Sequence, residues 1–241
     1  MALPGGYHLR AGTAADLRTV TGLYLAGFGH DGLLDIMFPG RRRHPDAVAA
    51  FLYRHFRRRW WTMGWRLTVV VDETLGVPVG FTWWLRPASQ LTFWETWVSP
   101  FLIGADDGRD VGGVDAWFAP LVRMYLCLEA LVLRSPIDPE PVDGFYRAVR
   151  AAEPQFLTTP RRREAWYLST LAVHPVYQGQ RLGRALVQEG LELVDKAGSA
   201  SYLVGLRSVE AFYPKYGFKE VCRVNVGELK AWDGGSVMFR E

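Results

Sequence analysis

Two short segments hold the residues whose types and spacing can do chemistry. The first is Leu168-Ser-Thr-Leu-Ala-Val-His-Pro-Val-Tyr-Gln-Gly-Gln-Arg-Leu-Gly-Arg-Ala-Leu-Val187. It reads as a strand ended by Pro175, a loop with Gly179 and Gly183, and a helix that starts at once. The loop and the first helical turn carry N–H groups with no partner inside the helix. Together with the positive end of the helix dipole they form an anion site. The two glycines leave the backbone open to that anion, and Arg181 and Arg184 add charge at the rim. On its own this pattern is weak, because many α/β proteins have one. The nucleotide-binding fingerprints G-x-G-x-x-G and G-x-x-x-x-G-K-S/T follow no strand here.

The second segment lies about 25 residues on: Ser208-Val-Glu-Ala-Phe-Tyr-Pro-Lys-Tyr-Gly-Phe-Lys219. Taken together, the two segments resemble the GCN5-related N-acetyltransferase (GNAT) superfamily. The first matches that family's acyl-CoA loop, Q/R-x-x-G-x-G/A, with Gln178 at its first position and Gly183 at its last. The second matches the F-Y-x-x-x-G-F signature through Phe212, Tyr213, Gly217 and Phe218. The resemblance is strong from about Ala165 to Val226 and agrees in element order for Tyr7 to Arg86. It says nothing specific about Pro87 to Pro160. Two departures stand out. Arg181 occupies a position that is usually Gly, where a positive φ would strain it. Pro214 removes a backbone donor from the short helix expected over Val209–Tyr216.

The resemblance implies an α/β (α+β) GNAT fold. Its mixed, mostly antiparallel, twisted sheet has six or seven strands, helices on both faces and a splayed cofactor slot. It implies acetyl-CoA as co-substrate, no metal, and direct attack by an acceptor amine in a ternary complex. Backbone groups of Leu171, Ala172 and Val173 would hold the pantetheine arm. N–H groups from Gln178 through Gly179, Gln180, Arg181, Leu182, Gly183 and Arg184 to Ala185 would cradle the pyrophosphate, with Ser208 nearby. Tyr213 would donate a proton to the leaving thiolate, since a phenol of ordinary pKa is protonated at neutral pH. The bland alternative for Tyr213 is a core tyrosine on the apolar face of its helix.

Tyr167 and Ser169 stand at the strand positions that face the acceptor, and neither is a good base. His174, Glu164, Glu95 and the aspartates at 106, 107, 110 and 115 remain alternatives. His174 reads better as a turn residue before Pro175. The acceptor read from this pattern is a small-molecule amine. Two other readings stay open: a CoA-binding module without catalysis, working as a partner surface, and a protein lysine or N-terminal acetyltransferase.

The elements that must position these residues follow from periodicity. Expected are strands at Tyr7–Arg10, Arg66–Asp72, Pro78–Arg86, Ala165–Val173, Ser201–Arg207, Phe218–Val226 and Ser236–Arg240. Expected helices follow Thr13, run from Pro45 to Trp61, and cover Val114–Arg134, Asp143–Ala152 and Leu182–Lys196. The stretch 87–160 is rich in proline and aromatic residues and reads as an insertion within one domain spanning 1–241.

Composition agrees with this frame. The chain has 241 residues, of which 49% are hydrophobic and 22% charged, a globular balance that excludes disorder. Cys127 and Cys222 alone cannot staple a scaffold or ligate a metal. A net charge of +3 gives no case for nucleic acid. Arg41 to Arg66 includes eight arginines, read as a solvated helix face rather than a nucleic-acid stripe. The numerous tryptophans read mostly as core, with those near the acceptor wall favouring a partly aromatic acceptor, whereas the acidic group at 106–115 would suit a cationic amine. The N-terminus lacks the apolar core of a signal peptide, and no stretch is long and apolar enough for a membrane span, so a cytoplasmic protein is expected. Monomer and homodimer fit equally.

Overall fold

A computed structural model describes residues 3–93, 95, 118–132, 137 and 140–241. Its centre is a seven-stranded sheet in the order β1-β2-β3-β4-β5-β7-β6. The strands are β1 (Tyr7–Ala11), β2 (Trp65–Asp72), β3 (Val77–Leu85), β4 (Trp166–Val173), β5 (Ser201–Gly205), β6 (Lys219–Arg223) and β7 (Ser236–Arg240). Every neighbouring pair is antiparallel except β4–β5, which is parallel. The fold class is therefore the one expected, with helices on both faces.

One face is covered by α1 (Leu17–Phe28), α2 (Gly32–Met37), α3 (Pro45–Trp61) and α5 (Glu140–Phe156). The apolar stripes of α1 and α3 meet Phe81, Trp83 and Ala172 from the sheet in one large cluster. A helix α4 (Ala119–Val132) lies on α3, where Arg57 pairs with Glu129 at 2.7 Å. The other face is covered by α7 (Leu182–Lys196), whose buried Leu182, Leu186, Val187, Leu191 and Val194 recur at helical spacing. This helix sits close to the sheet because position 190 is glycine. A Cβ there would lie 2.2 Å from the indole nitrogen of the fully buried Trp84.

Several elements differ from the periodicity reading. The expected helix over Val209–Tyr216 is two 3-10 stretches, Arg207–Phe212 and Pro214–Tyr216, with Tyr213 between them. Pro214 has no N–H to continue a helix, and Gly217, at φ 88°, closes the segment. Two short helices were not legible in the pattern: α2, capped by the Asp31 side chain on the Leu33 N–H, and α6 (Pro160–Arg163), capped by Thr159. Helix α5 is longer than its apolar core, and β5 and β6 are shorter than their runs. The helix expected over Val114–Arg134 is present at 119–132; its expected ends lie outside the described residues. So do Trp94, Trp97, Phe101, Trp117 and the aspartates at 106, 107, 110 and 115. β3 ends at Leu85 and β4 begins at Trp166, yet the two strands are hydrogen-bonded neighbours.

The arginines of 41–66 are not one solvated face. Arg41 pairs with Asp35, Arg57 with Glu129 and Arg66 with Glu189, while Arg59 is buried inside the protein.

Candidate active site

The site begins with a strand pair that comes apart. The parallel β4–β5 ladder holds only Trp166–Ser201, Tyr167–Tyr202 and Leu168–Leu203. Beyond Leu168, β4 keeps its β3 partner up to Val173 but has no partner on its β5 side. Backbone groups on the β5 side of β4 between positions 169 and 173 therefore face an open slot, where an extended ligand can pair with those other than Val173 O.

A bulge marks the start of this slot. Trp83 opposes Thr170 and Trp84 opposes Leu168, so Ser169 is the extra residue. The extra residue also switches the alternation of side chains. Before it, Trp166 and Leu168 pack toward α7; after it, Thr170 and Ala172 face α1 and α3 instead. Strict alternation correctly puts Tyr167 and Ser169 on the cavity, but it misses Thr170.

At the end of β4 the chain turns through a 3-10 stretch, Pro175–Tyr177, into the glycine loop. His174 caps this turn, its Nδ1 accepting from the Val176 N–H at 3.4 Å, which agrees with the turn role. Gln178 is also structural. Its N–H donates to Pro175 O at 3.2 Å, and its side-chain amide donates to Val173 O at 3.0 Å. The Ala185 N–H is spent on Arg181 O at 3.1 Å. The expected run of donors thus narrows to the N–H groups of residues 179–184, none of which meets an acceptor among the described residues.

Gly179 has φ 78° and Arg181 φ 65°, so two left-handed residues curl the chain into a concave nest of N–H groups. Arg181 is the only non-glycine described residue with positive φ. That conformation costs a residue with a Cβ about 1–2 kcal/mol. Glycine loses part of this gain to its larger unfolded-state entropy. Arg181→Gly is expected to raise the melting temperature by about 2 °C, read in a thermal unfolding scan. Its lost guanidinium would at the same time weaken affinity for anionic ligands.

The slot opens into a cavity of about 580 Å³. Its β4 wall includes Tyr167, Ser169, Leu171, Ala172 and Val173; Gly179, Arg181, Leu182, Gly183 and Arg184 line the loop end; Phe212 and Tyr213 line the far side. Gln180 is turned away, its side chain accepting from the Tyr7 hydroxyl at 2.9 Å. Ser208 belongs to the 3-10 stretch beside Tyr213. Two polar atoms beside the loop are buried with no hydrogen bond, Arg184 Nε and the Tyr216 hydroxyl. With the unpaired N–H groups they form a donor-rich surface that suits a phosphate-bearing ligand.

Tyr213 is 6% exposed, with its ring edge-on to Phe212 and Phe218. Burial pushes its hydroxyl pKa up, with Tyr216 adding to the rise, so it keeps its proton through neutral pH. The hydroxyl has no hydrogen-bond partner among the described residues and borders the cavity. It is a proton donor without an internal acceptor.

The other half of the cavity is lined by helix residues that the sequence does not mark as a site. Tyr24 of α1, His55 and Arg59 of α3 and Tyr146 of α5 converge opposite Tyr167. Arg59 donates to Thr170 Oγ1 at 3.3 Å and to His55 Nε2 at 3.2 Å. Arginine cannot accept, so His55 Nε2 carries the lone pair and the proton sits on Nδ1. Burial, with Arg59 and Arg58 adding to it, lowers the His55 pKa to about 3. Burial raises the Tyr167 pKa to about 12, with Tyr146 adding to the rise. A signal for this group existed in the sequence: His55 and Arg59 are one helical turn apart on the apolar side of α3.

The carboxylates considered as bases are elsewhere. Glu164 is exposed and bonded to the Ser89 hydroxyl, and Glu95 pairs with Arg86 at 2.6 Å while accepting from the Thr92 N–H. No Asp or Glu lines the cavity among the described residues. Among the described residues no group of three His, Cys, Asp or Glu is placed to hold a metal ion, and no helix is long and apolar enough to cross a membrane.

A sheet split beside its central strand, with a nest of free N–H groups at the mouth of the split, can hold an extended ligand that ends in a phosphate. Residues 137–220 match the family model described as acetyltransferase (GNAT) domain. The fold is similar to that of a solved structure from Corynebacterium glutamicum described as histone acetyltransferase HPA2 and related acetyltransferase. The two are 17% identical over 98% of this chain and 96% of that one, with a TM-score of 0.55. A GCN5-related N-acetyltransferase from Rhodopseudomonas palustris is 16% identical over 100% of this chain and 98% of that one, with a TM-score of 0.51. Residues 137–220 therefore resemble a GNAT acetyltransferase domain, and the fold of the chain is that of solved GNAT structures.

Proposed function

We propose that the protein is an acetyl-CoA-dependent N-acetyltransferase acting on a small-molecule amine. The observation that carries this reading is the continuity of one cavity. It joins the N–H nest at 179–184, the open edge of β4 and the Tyr213 hydroxyl to a second chamber lined by Tyr24, His55, Arg59 and Tyr146. The donors of the nest and Arg184 would hold the pyrophosphate, and the free β4 edge from Leu171 to Val173 would pair with the pantetheine arm. Acetyl-CoA would supply an activated thioester. A C–N bond forms, the C–S bond breaks, and Tyr213 Oη gives its proton to the departing sulfur. The amine nitrogen releases a proton to solvent as it becomes an amide, and Tyr213 regains one.

No carboxylate is needed to take that proton if the amine arrives uncharged. Burial in the cavity favours this, because removal from water makes an ammonium less stable. A small-molecule acceptor rather than a protein is favoured by the lining of the second chamber, to which α5 adds Val142, Phe145 and Tyr146. On this reading the chain is one acyltransferase domain, and Val142, Phe145 and Tyr146 from the stretch between β3 and β4 line this chamber.

Titration calorimetry with CoA and acetyl-CoA tests the reading. Both are expected to bind, and absence of heat at millimolar ligand would overturn it. Acetyl transfer to an amine panel would exclude a CoA-binding module without catalysis.

A further inference from the structure

Arg59 is a buried cation without an anion. Its residue is 9% exposed, and no carboxylate lies within ion-pair distance of it among the described residues. Its guanidinium stacks on Trp65, 4.1 Å from the ring centroid, which fixes the plane of the fork. Two of its five N–H donors go to Thr170 and His55, both neutral. Burial raises the pKa of the neighbouring Tyr24 and Tyr167, so these two keep their protons and supply no negative charge. A charge removed from water and left uncompensated is unfavourable, and proteins place one where a ligand completes the pair.

We infer that the acceptor bears a carboxylate, which pairs with Arg59, on a partly aromatic or apolar body. This rests on the acetyltransferase reading and specifies its substrate class. The fork of an arginine suits a planar, two-oxygen anion better than a single point charge. The position suits an acceptor group rather than the cofactor's phosphates. Arg59 contacts Thr170 on the α3 side of β4, whereas the N–H nest lies past the end of that strand. Phe28, Phe38 and Phe56 border the same chamber and provide an apolar surface for the rest of the molecule. With no carboxylate lining the cavity among the described residues, a polycationic acceptor has nothing to neutralise it.

Binding of a non-reactive probe tests this without requiring turnover. Calorimetry on the full chain compares 3-phenylpropionate with 3-phenylpropionamide, which differ in the charged group alone. The carboxylate is expected to bind about 10- to 100-fold more tightly, the range for hydrogen bonds to a charged group. Arg59→Gln should erase that difference while CoA affinity is unchanged, and Arg59→Lys should restore part of it. Equal binding of the two probes to the wild-type chain, or no binding of the carboxylate, overturns the inference whether or not the variants fold. So does a preference that survives in folded Arg59→Gln. In an acetylation assay, phenylalanine should be preferred over phenethylamine, and the reverse order also overturns it. Failure of CoA to bind would instead remove the acetyltransferase reading, leaving the probe comparison to stand by itself.

Discussion

Tyr213→Phe should lower kcat by about 10²- to 10⁴-fold, the usual contribution of a positioned proton donor. The fold around it should be unaffected. The Tyr213 ring packs edge-on against Phe212 and Phe218, contacts a phenylalanine keeps. Its hydroxyl has no internal hydrogen bond to lose, so removing it leaves no buried partner unsatisfied. Affinity for CoA should also hold, because the N–H nest and the β4 edge are separate from it. The raised pKa means that the proton is in place throughout the neutral range. The measurement is a pair of steady-state kinetics and CoA titration on each protein. Unchanged turnover would return Tyr213 to the role of a core aromatic residue.

Stability should fall as the pH drops from about 6.5, and His55 is the reason. An unfolded chain protonates this imidazole near pH 6.5. The folded chain holds its pKa at about 3, chiefly by burial and secondly through Arg59 and Arg58. Between those values the unfolded state binds the extra proton, so stability rises with pH and is lost as pH falls. Above about 6.5 both states are neutral at His55 and its contribution is flat. The ring borders the cavity, where water tempers the penalty, and a loss of about 1 kcal/mol by pH 5 is expected. The carboxylates held low in the folded state, Asp16 by Arg10 and Thr13 and Glu220 by Ser236 and Arg223, act in a lower window. Their contribution is lost only as pH falls below the ordinary carboxylate range. Urea unfolding at pH 7 and pH 5 isolates the effect, because His55→Gln should flatten that interval. An unchanged slope in His55→Gln would show that another group carries it.

These two residues also show how legibility divides. Tyr213 is marked by local sequence, because Phe212, Gly217 and Phe218 surround it at fixed offsets. The loop from Gln178 to Gly183 is marked in the same way. Its chemistry depends on backbone N–H groups and on φ values that glycine makes available, both of which are local properties. Even there, sequence overextended the donor run. Only the hydrogen bonds of Gln178 and Ala185 to their own turn and helix reveal that these two N–H groups are already used.

His55 and Arg59 were hidden for the opposite reason. Helical periodicity places His55 on the apolar stripe of α3, ordinarily a core, whereas Arg59 reads as one of that helix's solvated arginines. The buried side of α3 faces a cavity because β4 and β5 part beside it, and that parting involves strands more than a hundred residues away. Thr170 was hidden by a one-residue bulge, since alternation along β4 cannot register an extra residue set by its pairing with Trp83 and Trp84.

Sequence alone thus determined the order of the strands, the glycine loop and the aromatic signature, all of which rest on short-range backbone geometry and periodic burial. Tertiary structure decided which of the buried residues are packed and which border a void. It also decided that the void has three arginines, Arg59, Arg181 and Arg184, and no carboxylate among the described residues. Charge balance in a cavity is a sum over distant segments, and only folding brings its terms together.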